Sequence, residues 1–210
     1  MNSRGILTVV SGFSGAGKGT VMKALLEKYD YSLSISATTR NPRPGEENGR
    51  EYFFLTREEF ESMIENNELV EWASYVDNYY GTPRKYVMDQ LGRGQNVILE
   101  IEIQGALRVK EQFPDALLLF LTPPCAGELK NRLIGRGSED METIHKRLLR
   151  AYEEADFMKA YDYIVVNDNL EECVEQVNRI IRDEKYRSSR QREFINEMKS
   201  ELREFKEGEL

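Results

Sequence analysis

Three features of the 210-residue chain predict an α/β fold with a central parallel sheet covered by helices on both faces. The first is a glycine-rich turn, Ser11-Gly12-Phe13-Ser14-Gly15-Ala16-Gly17-Lys18-Gly19-Thr20, set between an apolar strand and a helix. The second is a set of short runs that are apolar in sequence rather than alternating, at 96–101, 116–121 and 163–166, as strands buried on both faces require. The third is the helical spacing that separates them, because strands alternating with helices build a parallel sheet.

The turn follows the apolar run 6–10 and precedes helical spacing over 21–28, the strand–turn–helix context of a phosphate-binding loop. Gly12, Gly15 and Gly17 let successive N–H groups face one anion, and the helix adds its positive end. Lys18 supplies a point charge for β/γ-phosphates, so the loop predicts a bound nucleoside triphosphate. Gly19 stands where a hydroxyl normally ligates Mg²⁺, and the first hydroxyl comes at Thr20.

Residues 31–36 alternate as a short strand. The stretch 37–95 then breaks the rhythm: a Pro/Gly-rich loop with Arg40, Arg43 and Arg50, strand signals at 52–55, a capping box Thr56-Arg57-Glu58-Glu59 opening a helix to about Asn66, strands at 69–76 and 78–83, and a helix to about Leu91. It reads as a small inserted subdomain. Helices are expected over 104–112, 126–134, 141–158 and from Leu170 to about Arg187. The tail from Ser188 has helical apolar spacing at Phe194, Ile195, Met198, Leu202 and Phe205 and is expected to be solvated.

A net charge of −8 argues against a nucleic-acid-coating surface. No apolar run approaches a membrane span, and Cys125 and Cys173 stand in no metal or redox spacing, so a cytoplasmic protein without membrane or nucleic-acid partners is expected. The one histidine, His145, lies among charged residues and reads as a surface group. The chemistry therefore falls to Lys, Arg, carboxylates and a metal. Arg132 and Arg136, with Arg147 and Arg150, form a second arginine group suited to shielding a transferring phosphoryl. Glu71 offers a carboxylate that can accept side by side from guanine N1–H and the N2 amine, with Thr82 as a donor to O6; the alternative is an outward-facing strand residue. Glu100 and Glu102, two apart, share one face toward a metal or an acceptor sugar, or else form a solvated strand end.

Taken in order, Ser11-Gly12-x-Ser14-Gly15-x-Gly17-Lys18, Thr38-Thr39-Arg40-x-Pro42-Arg43-x-Gly45-Glu46, Gly49-x-x-Tyr52-x-Phe54, Glu71-Trp72-Ala73, Tyr79-Tyr80-Gly81-Thr82, Gln104-Gly105-Ala106, Arg132-x-x-x-Arg136-Gly137 and Lys146-Arg147-Leu148 resemble the guanylate kinases. The resemblance covers about residues 4–187 and leaves 188–210 as a charged tail. It implies ATP + GMP ⇌ ADP + GDP with Mg²⁺, dGMP being a further acceptor, on a three-layer P-loop kinase core with a GMP-binding insert (about 37–90) and a helical lid (about 132–158). It also implies guanine contacts at Ser36, Glu71 and Thr82, phosphate contacts at Arg40, Arg43, Tyr52 and Tyr80, lid arginines at Arg132, Arg136 and Arg147, and Asn167 near the ATP base. Lys18, Arg40, Arg136 and Arg147 are the implied catalytic groups, and Glu100 and Glu102 complete the GMP side. Phe13 replaces the family's usual Pro, Gly19 a frequent Ser, and Glu100 and Glu102 stand where aspartates are common. Mg²⁺ is thus expected on phosphates and water, with Thr20 or Glu102 as the protein's contribution. Two other readings compete: a binding module that reuses the GMP site to grip a partner protein, and a kinase for another monophosphate. Oligomeric state is written in no pattern of the chain.

Overall fold

The structure, a computed structural model, describes residues 4–75, 77–135, 137 and 140–206. Of the residues singled out above, Val76, at the end of an expected strand, and Arg136 lie outside these. The larger sheet comprises β1 (Leu7–Gly12), β2 (Ser32–Leu33), β7 (Val97–Glu100), β8 (Leu117–Thr122) and β9 (Tyr163–Val166). Their order is β2-β7-β1-β8-β9, with every pairing parallel. Alternate residues of one strand enter opposite cores. Val9, Leu99, Leu118 and Phe120 pack on one face with α4 (Ile103–Gln112), α5 (Ala126–Gly135) and α6 (Met141–Ala155). Val10, Ile98, Leu119 and Leu121 pack on the other with α1 (Lys18–Lys28) and α7 (Leu170–Asp183). Double-sided burial explains why these strands read as unbroken apolar runs.

Between β2 and β7 in the chain lies a second sheet of β3 (Ala37–Thr38), β4 (Phe53–Phe54), β5 (Leu69–Tyr75) and β6 (Asn78–Pro83), in the order β4-β3-β6-β5. Only its β3–β4 pair is parallel. Helix α2 (Arg57–Glu65) covers it through Phe60, whose ring stacks on Tyr79 at 5.3 Å. The capping box is present: Thr56 Oγ1 accepts from the Glu59 N–H and Glu59 Oε2 from the Thr56 N–H. Helix α3 (Arg84–Gly92) then leads the chain back to the parallel sheet.

Three expectations are corrected. The strand over 31–36 holds ladder pairing only at β2, because the chain then leaves the large sheet to form β3 in the small one. Strand β9, expected to be buried, is an edge strand: Val165 is fully buried, while Tyr163, Ile164 and Val166 are 45%, 40% and 45% exposed. The last helix of the core stops at Asp183 rather than near Arg187. Glu184 is buried there and accepts from Arg187 Nη1 (3.2 Å) and Arg190 Nε (3.3 Å), so the chain curls around it in two short 3₁₀ turns. Part of the tail then folds as α8 (Arg192–Lys206), on which Phe194, Ile195, Met198, Leu202 and Phe205 are all exposed.

Candidate active site

The glycine-rich turn leaves β1 at Gly12, where a Cβ would lie 2.0 Å from the Leu121 carbonyl oxygen, so only glycine fits against β8. Gly17, at φ 88°, caps α1 in the left-handed region. Lys18 opens that helix, and its Nζ donates to the carbonyls of Gly12 (2.8 Å) and Phe13 (3.3 Å) across the loop. Phe13 sends its ring into the core, edge-on to Phe120 at 4.9 Å, and so anchors the loop rather than facing a ligand. Gly19 and Thr20 are exposed on the first turn of α1.

The loop is braced from behind. Asn167, just after β9, is buried and donates from Nδ2 to the Ala16 carbonyl at 2.8 Å. Arg132 of α5 donates from Nη2 to the Asn167 carbonyl (2.9 Å) and from Nη1 to Ala16 (3.4 Å), while Glu128 holds its Nε at 2.7 Å. The side chain of Asn167, expected near a nucleotide base, is thus engaged with the loop backbone. Arg147 of α6 reaches the loop itself: its Nη1 donates to Ser14 Oγ at 2.6 Å. His145, on the same helix, is exposed.

A cavity of about 380 Å³ opens beyond the carboxyl ends of β1 and β7, where parallel sheets place their ligands. Of the expected residues, Lys18, Ser36, Tyr52, Glu71, Tyr80, Glu100 and Glu102 line it. Glu100 ends β7, and Glu102 is the N-cap of α4. Burial raises the Glu100 carboxyl above its usual range, against the lowering pull of Lys18. Glu102 accepts from Arg150 Nη2 of α6 at 3.0 Å, which ties that helix to the cavity rim. The Tyr52 ring lies 6.0 Å from that of Tyr80, and burial pushes its phenol up.

Glu71 is the most buried carboxylate of the cavity, 6% exposed on β5. Burial pushes its carboxyl up to about 7, with Thr82 and Arg108 acting in the opposite direction. Thr82, expected to donate to a bound base, instead donates a hydrogen bond from Oγ1 to Glu71 Oε1 at 2.8 Å and does not line the cavity. Strands β5 and β6 are paired antiparallel, and Thr82 is 1% exposed, so the neighbouring carboxylate is its available acceptor.

The arginines of the Pro/Gly-rich loop divide. Arg40 forms a two-pronged pair with Glu46 at 2.9 and 3.0 Å and lies 5.4 Å from the Tyr52 ring centre, outside the cavity lining. The bond to Glu46 raises its guanidinium and lowers the Glu46 carboxyl. Arg43 is exposed, and its backbone N–H donates to Glu46. Arg50, grouped with them in the sequence but given no role, lines the cavity beside Glu51, held by Glu51 at 2.6 Å. Ser34, and Gly105 of the Gln104-Gly105-Ala106 motif, also line it, although the sequence assigns neither of them a role. Ser34 precedes Ser36 by two residues, a strand-face signal available in the sequence; its buried Oγ has no hydrogen-bond partner among the described residues. Gly105 gave its signal as part of the Gln104-Gly105-Ala106 motif and as a glycine inside a helix.

Among the described residues no helix is long and apolar enough to cross a membrane. The family model described as guanylate kinase matches residues 4–184. A guanylate kinase of Caldanaerobacter subterraneus subsp. tengcongensis is 48% identical over 202 residues, 96% of this chain and 98% of that protein. Another from Oceanobacillus iheyensis is 51% identical over 191 residues, 90% of this chain and 93% of that one. The crystal structure of guanylate kinase from Anaplasma phagocytophilum superposes with a TM-score of 0.74 at 34% identity, covering 90% of each chain. The chain belongs to the guanylate kinase family, whose members are nucleoside monophosphate kinases.

Proposed function

We propose that the chain transfers the γ-phosphoryl group of ATP to GMP, with Glu71 reading the guanine and the glycine-rich loop holding the triphosphate. One observation carries this reading: a single cavity places the loop's Lys18, at the start of α1, and the buried carboxylate of Glu71 around one ligand-sized space. The attacking phosphate oxygen of GMP is already anionic, so the reaction needs no strong general base. A chain with one exposed histidine therefore loses nothing by it. The difficulty is bringing two anions together.

Each side chain answers part of that problem. The loop amides from Gly12 to Thr20, with Lys18, bind the β/γ-phosphates; Arg132 braces that loop, and Arg147, with the Arg136 that the motif supplies, shields the transferring group. Arg40, Arg43, Tyr52 and Tyr80 take the GMP phosphate, with Glu46 holding the Arg40 fork in place. Ser36 completes the base site, and Thr82 serves it by orienting Glu71. Asn167 stiffens the loop that ATP's phosphates meet. The carboxylate oxygens of Glu100 and Glu102 around the cavity suit a hard divalent cation, so Mg²⁺ would be held chiefly by the nucleotide's own oxygens and water, with Glu102, or Thr20 on the first turn of α1, as the protein's contribution. When bound, it supplies positive charge to the phosphate oxygens. Cys125 and Cys173 are free thiols, as a reducing cytoplasm maintains them.

A coupled ADP-release assay with GMP, dGMP, AMP and UMP tests the assignment. GMP and dGMP are expected to turn over, with AMP lower in kcat/KM by roughly 10²-fold or more, because adenine N1 is an acceptor facing a carboxylate. Equal turnover of AMP would overturn it. Asn167→Ala is expected to raise the KM for ATP about fivefold to tenfold, the equivalent of one buried hydrogen bond, and to leave the KM for GMP alone. An unchanged ATP KM would remove Asn167 from the loop's support.

A further inference from the structure

Gly105 lies within α4, where glycine is the least favoured residue after proline. Its backbone is not in the left-handed region, so conformation does not demand it. Space does. A Cβ at this position would stand 2.7 Å from Glu71 Oε2 and 3.2 Å from Glu71 Cδ, the first too close for a carbon–oxygen contact. We propose that Gly105 is a positioning residue for acceptor recognition: its missing side chain is the room in which Glu71 Oε2 stands, so α4 sets the plane in which the carboxylate meets the base. The inference rests on the reading of Glu71 as the guanine contact.

Neither partner can give way easily. Glu71 is buried, and its other oxygen accepts from Thr82 Oγ1 at 2.8 Å. Retreat from a methyl group at 105 would break that bond or push the carboxylate into the cavity. The helix is also tied down. Arg108, one turn along α4, donates from Nη1 to the Trp72 carbonyl of β5 and lies 5.9 Å from the Trp72 ring centre. A paired hydrogen bond to N1–H and the N2 amine needs both carboxylate oxygens in one fixed plane. A displacement of a few tenths of an ångström is therefore felt in acceptor binding, while the phosphate loop is left intact.

The test is a cycle of Gly105→Ala, Glu71→Ala and the double variant, read by steady-state kinetics and thermal melting. Gly105→Ala is expected to raise the KM for GMP roughly tenfold to a hundredfold, with kcat and the KM for ATP within about twofold of the parent. On the Glu71→Ala background, where the obstructing carboxylate is gone, the same change is expected to add nothing to KM. Melting should reverse in sign: Gly105→Ala lowers Tm in the parent and raises it in Glu71→Ala, because alanine then replaces a helical glycine with only the movable end of Ile101, its Cδ1 at 3.3 Å, to meet. An unchanged GMP KM in Gly105→Ala, effects that multiply in the double variant, or a Tm that falls on both backgrounds would overturn the proposal. If Glu71→Ala itself leaves the GMP KM unchanged, the base-reading assignment fails, and this inference with it.

Discussion

Lys18→Ala is expected to lower kcat by about 10³-fold while the protein melts within a degree or two of the parent. The ammonium lies between the loop carbonyls of Gly12 and Phe13, at 2.8 and 3.3 Å, and lines the acceptor cavity from the start of α1. Its hydrogen bonds to those two carbonyls lie at a partly exposed site, where water can replace them at little net cost. Its charge has no substitute as negative charge builds on the transferring phosphoryl. Single-turnover kinetics would separate chemistry from product release, and the KM for GMP should stay within a few-fold because Glu71 and Tyr52 are untouched. Near-normal turnover would show that the loop amides and arginines suffice.

Glu71→Gln should have opposite effects on stability and on binding. Burial raises this carboxyl to about 7 in the folded chain, from the ordinary value near 4.5 in the unfolded one. The folded state therefore favours the protonated form, and stability falls as pH rises from about 4.5 to 7. Above that window the ionised carboxylate costs about 3 kcal/mol of folding free energy relative to its protonated form, a cost that a neutral amide does not carry. Glu71→Gln is expected to melt higher than the parent at pH 8 and equally at pH 4.5. The same change removes one of two adjacent acceptors and places an amine against the guanine donors. The GMP KM should then rise by roughly 10²-fold or more. In the parent, kcat/KM for GMP should decline below about pH 7 as Glu71 takes up a proton. Parallel pH–stability curves for parent and variant would refute the burial argument; an unchanged GMP preference would show that another group reads the base.

The phosphate-binding loop was legible because its requirements are local. Only residues without a Cβ fit the Gly12 approach to Leu121 and the φ of 88° at Gly17, and a helix must begin at once to aim its amides. The capping box at Thr56 and the apolar runs of β1, β7 and β8 were readable for the same reason. The edge position of β9 was not, since a run of Tyr163-Ile164-Val165-Val166 reads alike whether one face or both are covered. Glu184 showed no sign of ending α7 early, because its two arginines meet it only after the chain has turned.

The sequence by itself determined that a parallel sheet carries a triphosphate loop, and that its motifs run in the order of the guanylate kinases. Those are properties of short segments, set by backbone sterics, helix ends and the burial of apolar strands. Only the tertiary structure decided that the Thr82 hydroxyl donates to Glu71, that the side chain of Asn167 braces the loop, and that a Cβ at Gly105 would crowd a carboxylate 34 residues earlier at 2.7 Å. Each depends on two groups from separate elements meeting in a space that is defined only once the sheets have packed.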